Sequence, residues 1–344
     1  MRRCFQLAKK GINSVAPNPM VGSVITVPDS NAPHGQRIIG EGYHKAYGGP
    51  HAEVHAVRSV QDKELLREAT VYVSLEPCSH FGKTPPCANL LVDAGVKRVV
   101  VACLDPNPNV AGKGIALLKE AGIDVLVNVL QTEALYINRR FITFHTKKRP
   151  YVVLKWAQTL DGFIADATGR PKWISNPLSR QFVHKWRSEE ASIMVGSQTV
   201  INDNPMLNTR DWAGNSPLRL VMDGRNRSAR EARVFDGSVP TLIFNESKDE
   251  RLKNVEFIAK EPRNLDHALN ELYSRSVSSV LVEGGSTLLQ AFIDANLWDE
   301  ARVFIGDGSF KKGIKAPDLP AIGYSTTTIH TNQLRTYLRQ NAAI

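Results

Sequence analysis

Long apolar runs are missing from this 344-residue chain. Its most hydrophobic stretches, such as VKRVVVACL from Val96, are broken by charge well short of the roughly 20 residues that span a bilayer, which excludes a transmembrane helix. The start, MRRCFQLAKKG, is basic but has no apolar segment of about 7–15 residues, so a secretory leader is not expected and the cytoplasm is the expected compartment. Cysteine is scarce, with Cys4, Cys78, Cys87 and Cys103 only. In a reducing compartment so few thiols do not make a disulfide framework, and a clustered pair points to metal or to reactivity, while Cys4 and Cys103, in apolar surroundings, read as core. Aromatic residues make up 7%, too few for platforms that stack the bases of a single strand. The net charge of +9 favours anionic partners, and because no run of five or more basic residues carries it, small phosphorylated molecules fit better than nucleic acid.

What is present is an ordinary globular composition, 42% hydrophobic and 22% charged, and at about 150 residues per domain the length predicts two domains. In the first half, Cys4, Leu7 and Ala8 share a helical face that ends at Gly11, and residues 21–27 read as a strand. Helices are predicted at 51–60, 88–94 and 114–121, and strands at 70–75, 96–102 and 123–129. This alternation predicts an α/β fold, a mostly parallel sheet with helices on its faces. The polar, basic segment HTKKRP, residues 145–150, is read as the break between domains of residues 1–146 and 149–344. Beyond it, strands are predicted at 151–157, 192–195, 218–222, 241–244, 279–282 and 301–305, the last after a helix at 288–295.

The chemistry concentrates in HAEVHAV, from His51, and EPCSHFGKTPPC, which ends at Cys87. Pro50, Pro77 and Pro86 directly precede His51, Cys78 and Cys87, so each of these is predicted to begin a helix or turn. A strand ending at Leu75 would deliver Cys78 to the carboxyl edge of the sheet, where open α/β folds place their sites. One neutral imidazole and two thiolates balance Zn²⁺ and leave one tetrahedral position open, the catalytic arrangement, for a water whose pKa falls to about 7. His51 and Glu53 lie about 200° apart on a regular helix, so they share a site only off its N-terminal end. There Glu53 is suited to carry the water proton to a leaving amine.

His-x-Glu followed by Pro-Cys is the pattern of zinc nucleobase deaminases. Here eight residues separate the cysteines, and the enlarged loop contains Lys83, suited to a substrate phosphate. A purely structural zinc site is the competing reading, opposed by the joint occurrence of His-Ala-Glu and Glu-Pro-Cys. His55 supplies half of an HExxH pattern, but the glutamate is not in its second position, so a metalloprotease is rejected and His55 is read as structural.

Five segments of the first half, APNPMVGSVI, GEGYH, PHAEVHA, YVSLEPCSHFGKTPPC and DPNPNVAGKG, and four of the second, KWAQTLDGFIA, WIS, VGSQTVINDNPMLNTR and VEGGSTL, carry a resemblance over nearly the whole chain. The chain resembles the bifunctional riboflavin biosynthesis family, in which a diaminohydroxyphosphoribosylaminopyrimidine deaminase is joined to a 5-amino-6-(5-phosphoribosylamino)uracil reductase. The resemblance implies a cytidine-deaminase-like zinc domain followed by a dihydrofolate-reductase-like α/β domain. It implies hydrolytic deamination of 2,5-diamino-6-(5-phosphoribosylamino)pyrimidin-4(3H)-one, then NADPH-dependent reduction of the ribosyl group to ribityl. In the first domain it implies one zinc on His51, Cys78 and Cys87, Glu53 as proton shuttle, and substrate contacts from Asn18, His44, Lys83, Asp105 and Asn107. In the second it implies substrate contacts from Lys155, Ser175, Arg187, Arg210 and Glu283. Ala157, Trp173, Thr199, Asp203, Gly284, Gly285, Ser286 and Thr287 would hold NADPH. A phosphorylated pyrimidine is the expected partner, with no nucleic acid and no membrane, and a homo-oligomer is the expected assembly.

Read from the residues alone, VLVEGGSTLLQAF is a strand, a glycine turn and a helix capped by Ser286, where backbone N–H groups can approach a phosphate. It is not the GxGxxG fingerprint, so a Rossmann domain is not supported. Arg187 and Arg210 suit bidentate binding of a phosphate, and solvated surface arginines are the blander reading. Asn18 and Asn107 suit a pyrimidine edge or, equally, an Asn-Pro turn. Two departures from the family bear on the second half: Pro171 stands where a serine is usual, and IGDGSFKKGI replaces a proline-containing strand exit. The alternative is therefore a chain active only as a deaminase, with a degenerate second domain that binds nucleotide. Further rivals are a nucleic-acid or nucleoside deaminase with a non-catalytic second domain, and a zinc-stabilised nucleotide-binding module without turnover.

Overall fold

The computed structural model describes residues 1–79, 85–107, 111–168, 172–261 and 263–339, which form two compact units that part between Lys147 and Lys148. The first unit runs α1 (Arg2–Ala8), β1 (Gly22–Pro28), β2 (Gln36–Tyr43), α2 (Ala52–Ser59), β3 (Thr70–Val73) and α3 (Cys87–Asp93). It continues β4 (Arg98–Val101), α4 (Lys113–Glu120), β5 (Asp124–Leu126), α5 (Gln131–Ile137) and α6 (Arg139–Lys147).

One sheet, in the order β2-β1-β3-β4-β5, organises this unit. Strands β3, β4 and β5 are parallel, as the alternation predicts, but β1 is antiparallel to both β2 and β3, so the sheet is mixed. The physical reason is the short connection from β1 to β2: a parallel pairing needs a crossover of a dozen or more residues. Strand β2 was not predicted because QRIIGEGY has no apolar run and its first half is exposed. Val71, Val73, Val99 and Val101 fill the core with Leu91 of α3 and Leu118 of α4. Helix α2 lies directly on β2, because a Cβ at Gly42 would stand 2.4 Å from the Ala52 carbonyl and from the Ala56 nitrogen. Helix α6 runs through Lys147 with Phe141, Ile142 and Phe144 buried, so the units part at its end, inside the segment 145–150.

The second unit runs β6 (Tyr151–Gln158), β7 (Phe163–Asp166), α7 (Pro177–Glu189), β8 (Ser192–Gly196), α8 (Ser197–Asp203), β9 (Leu218–Met222), β10 (Thr241–Asn245) and β11 (Glu250–Leu252). Then come β12 (Val255–Ala259), α9 (Leu265–Ser274), β13 (Ser279–Gly284), α10 (Ser286–Asp294), β14 (Glu300–Ile305), β15 (Gly313–Lys315), β16 (Tyr324–Ile329) and β17 (Asn332–Leu338). A ten-stranded sheet has the order β11-β12-β10-β9-β8-β13-β6-β14-β17-β16. It is parallel from β12 to β14, with antiparallel strands at both edges.

The central strands β6 and β13 are buried on both faces, which is why they read as continuous apolar runs. The departure IGDGSFKKGI is anchored by Asp161, whose carboxylate accepts from Ser309 Oγ at 2.6 Å, Lys311 N at 2.7 Å and Phe310 N at 3.2 Å. Pro171 lies outside the described residues. Ser286 is not the helix cap expected: α10 begins on it, and Gly285 holds the capping position without a side-chain hydrogen bond. No described helix is long and apolar enough to cross a membrane.

Candidate active sites

His51 caps α2 in extended backbone, and Cys87 is the first residue of α3, so both stand at helix starts. Cys78 does not begin a helix: it lies on the loop after β3, which ends at Val73 rather than Leu75. That loop is tied to α3 by the Ala88 N–H, which donates to the Cys78 carbonyl at 3.1 Å, and by the Cys87 N–H, 3.3 Å from Cys78 Sγ. His51 Nδ1 is 3.5 Å from Cys78 Sγ and 3.3 Å from Cys87 Sγ, and the three donor atoms lie within 4.8 Å of one another.

The donor chemistry fits zinc, which takes thiolate sulfur and imidazole nitrogen. A hydrogen bond from Cys87, followed by one from His51, lowers the Cys78 thiol to about 4, and the same pairing raises Cys87. Cys4 and Cys103, by contrast, are buried, and burial pushes each to about 12, as expected of inert core thiols. Glu53 lies in the first turn of α2 and is 3% exposed. Its Oε2 is buried with no hydrogen-bond partner among the described residues, and burial raises the carboxyl to about 7. A buried acceptor beside the three donors is costly unless something occupies the site. His55 is not part of the donor group.

Around this cluster, His44 Nδ1 is 3.1 Å from the Pro50 carbonyl, which can only accept, so Nδ1 carries the proton. Nε2 then accepts from Asn18 Nδ2 at 3.1 Å, and burial lowers the imidazole pKa. The His44 ring meets His51 edge-on at 5.3 Å, which links Asn18 to the metal ligands. Asp105 is buried, accepts the Asn107 N–H at 2.8 Å, and is pushed up by burial to about 6, with Glu76 and Cys78 adding to the rise. Lys83 lies outside the described residues. Glu76, part of the Glu-Pro-Cys motif but given no role from the sequence, is buried at the root of the Cys78 loop.

In the second unit a cavity of about 1280 Å³ opens at the carboxyl ends of β6, β8, β9 and β13. The residues implied above for substrate and NADPH in the second half all line it. Arg187 Nε and Nη2 each donate to Glu283 at 2.8 Å, and Lys155 Nζ is 3.6 Å from the same carboxylate. Burial alone would raise Glu283, but the charges of Arg187 and Lys155 overcome it and hold the carboxyl at about 2. In this arrangement the Arg187 fork faces Glu283, and Nη1 donates to the Asn208 carbonyl at 3.2 Å. Arg210 is half-exposed beside Asp211. Trp173 is 76% exposed, with the Arg180 guanidinium 4.6 Å above its ring. Thr199 Oγ1 stands 3.4 Å from where a Cβ at Gly285 would sit, so the glycine turn rests against α8.

The sequence reading missed His184, one turn before Arg187 on α7. Its Nδ1 accepts the Arg210 N–H at 3.4 Å, which leaves the proton on Nε2, 3.3 Å from Asp211. Burial, then the charges of Arg187 and Arg210, lower it to about 4.

Residues 1–103 match the family described as the cytidine and deoxycytidylate deaminase zinc-binding region, and residues 150–307 match the RibD C-terminal domain. The riboflavin biosynthesis protein RibD of Aquifex aeolicus is 39% identical over 326 residues, 93% of this chain and 89% of that one. RibD of Escherichia coli is 37% identical over 337 residues, 91% of this chain and 89% of that one. The crystal structure of a diaminohydroxyphosphoribosylaminopyrimidine deaminase/5-amino-6-(5-phosphoribosylamino)uracil reductase from Thermotoga maritima superposes with a TM-score of 0.87 at 38% identity, covering 98% of this chain and 96% of that one.

Proposed function

Because the chain belongs to the RibD family of bifunctional deaminase–reductases in riboflavin biosynthesis, we propose a substrate and a set of residue roles for each unit. The first unit deaminates 2,5-diamino-6-(5-phosphoribosylamino)pyrimidin-4(3H)-one. The second reduces the ribosyl group of the product with NADPH. The observation that carries the first assignment is the convergence of His51 Nδ1, Cys78 Sγ and Cys87 Sγ beside buried Glu53.

Those three side chains would hold zinc, which when bound supplies Lewis acidity and lowers the pKa of a water to about 7. Glu53, its own carboxyl near 7, takes the proton from the attacking water and returns it to the departing amine. The water oxygen bonds to the amine-bearing ring carbon, its second proton passes to the adjacent ring nitrogen, the C–N bond breaks to leave a carbonyl, and ammonia departs. Asn18, held by His44, presents its amide to the pyrimidine edge together with Asp105 and Asn107. Lys83 is assigned to the ribosyl phosphate.

In the second unit Lys155, Ser175, Arg187, Arg210 and Glu283 are assigned to the sugar phosphate. Arg210, half-exposed beside Asp211, is the arginine assigned to the phosphate, whereas Arg187 and Lys155 keep Glu283 ionised. Ala157, Trp173, Thr199, Asp203, Gly284, Gly285, Ser286 and Thr287 are assigned to NADPH, which when bound supplies the hydride. The common cavity supports this reading over a degenerate second domain. Metal analysis should find one zinc per chain, lost in Cys78→Ser. Lys155→Ala and Arg210→Ala should impair NADPH oxidation while sparing ammonia release, and unimpaired oxidation in both would overturn the reductase assignment.

A further inference from the structure

Glu76 stands two residues before Cys78, is 4% exposed, and is outside the donor cluster. Its Oε2 accepts the N–H of Asp105 at 3.2 Å and that of Gly112 at 3.0 Å. Its Oε1 accepts the N–H of Gly114 at 3.1 Å and that of Ile115 at 3.4 Å. An ionised carboxylate offers about four acceptor sites, and all are engaged by backbone donors. Three of those donors belong to the start of α4, where the first N–H groups lack partners within the helix and the dipole favours negative charge. The fourth belongs to Asp105, four residues beyond the end of β4. The Glu76 N–H donates in turn to the Cys103 carbonyl at 3.0 Å.

The neighbouring residue completes the seat. A Cβ at Gly114 would lie 2.0 Å from the Pro77 carbonyl oxygen, so α4 rests on the backbone next to Glu76 as only glycine permits. Three consecutive residues thus do different work: Glu76 holds the Asp105 backbone and the start of α4, Pro77 seats α4, and Cys78 enters the donor cluster.

We infer that Glu76 is a positioning residue of the deaminase: by holding the Asp105 backbone and the start of α4 on one carboxylate, it sets where Asp105 and Asn107 stand relative to Cys78. This rests on the reading that Asp105 and Asn107 touch the pyrimidine. A plain scaffold carboxylate would affect stability but would not couple to those two residues in substrate binding.

The test uses the full chain, whose second unit serves as an internal control. Glu76→Gln puts an amide NH₂ against two backbone N–H groups, and Glu76→Asp keeps the charge on a shorter arm. Both variants should retain one zinc per chain and wild-type reduction of the deaminated substrate. In Glu76→Gln the KM for the diaminopyrimidine should rise, kcat/KM falling about a hundredfold, and Glu76→Asp should recover part of the loss. Asp105→Ala should cost much less in the Glu76→Gln background than in wild type, because the two act on one contact. Unchanged KM in Glu76→Gln overturns the inference, as do additive losses or zinc loss in both Glu76 variants. If Asp105→Ala and Asn107→Ala alone leave KM unchanged, it is instead the assigned role of those two residues that fails.

Discussion

Of two buried carboxylates, Glu53 is driven up by burial itself, whereas Glu283 is driven down by the cations beside it. Glu53 has an unpartnered oxygen and is raised to about 7, whereas Glu283 lies between Arg187 and Lys155 and is held at about 2. Glu283→Gln would leave two buried cations short of their partner, so urea unfolding should show the second unit destabilised by about 3–5 kcal/mol, with reduction lost. The pH dependence of that unit follows from two depressed pKa values. His184 contributes fully above its ordinary 6.5, and the contribution is lost as pH falls toward about 4. Glu283 contributes fully above its ordinary 4.5, and the contribution is lost as pH falls toward about 2. Thermal unfolding should therefore show stability of the second unit falling first between pH 6.5 and 4, and His184→Gln should flatten that limb. The spacing of His51, Glu53, Cys78 and Cys87 was legible because proline, ligand and acid recur in a short local pattern. His184 and Glu76 were not, because their partners arrive from 26 and from 29–39 residues away.

At the scale of elements, the deaminase site depends on how closely α2 approaches β2. Gly42→Ala forces a methyl to within 2.4 Å of two backbone atoms of α2, the helix that begins just after His51 and carries Glu53. Such overpacking typically costs about 1–3 kcal/mol, and ammonia release should fall while reduction of the deaminated substrate stays at its wild-type rate. Loss of both activities would contradict this placement. Strands β3, β4, β6 and β13 were legible as apolar runs because their neighbours bury them. Strands β2 and β16 were not, because β2 is exposed over its first three residues and β16 over all but its last, and their pairing is decided by the strand beside them. Helix α6 was missed for a related reason: its basic residues hid an apolar face.

At the scale of the molecule, each unit has its own sheet, its own core and its own constellation of candidate residues. Chelation of zinc should abolish ammonia release and leave NADPH oxidation of the deaminated substrate intact. The measurement that bears most directly on the central claim follows ammonia and NADPH absorbance separately in Glu53→Gln supplied first with the diaminopyrimidine ribosyl phosphate and then with its deaminated form. The variant should keep one zinc per chain, release ammonia about 10²–10⁴-fold more slowly, and oxidise NADPH at the wild-type rate once the deaminated form is given. Ammonia release at the wild-type rate would contradict the account.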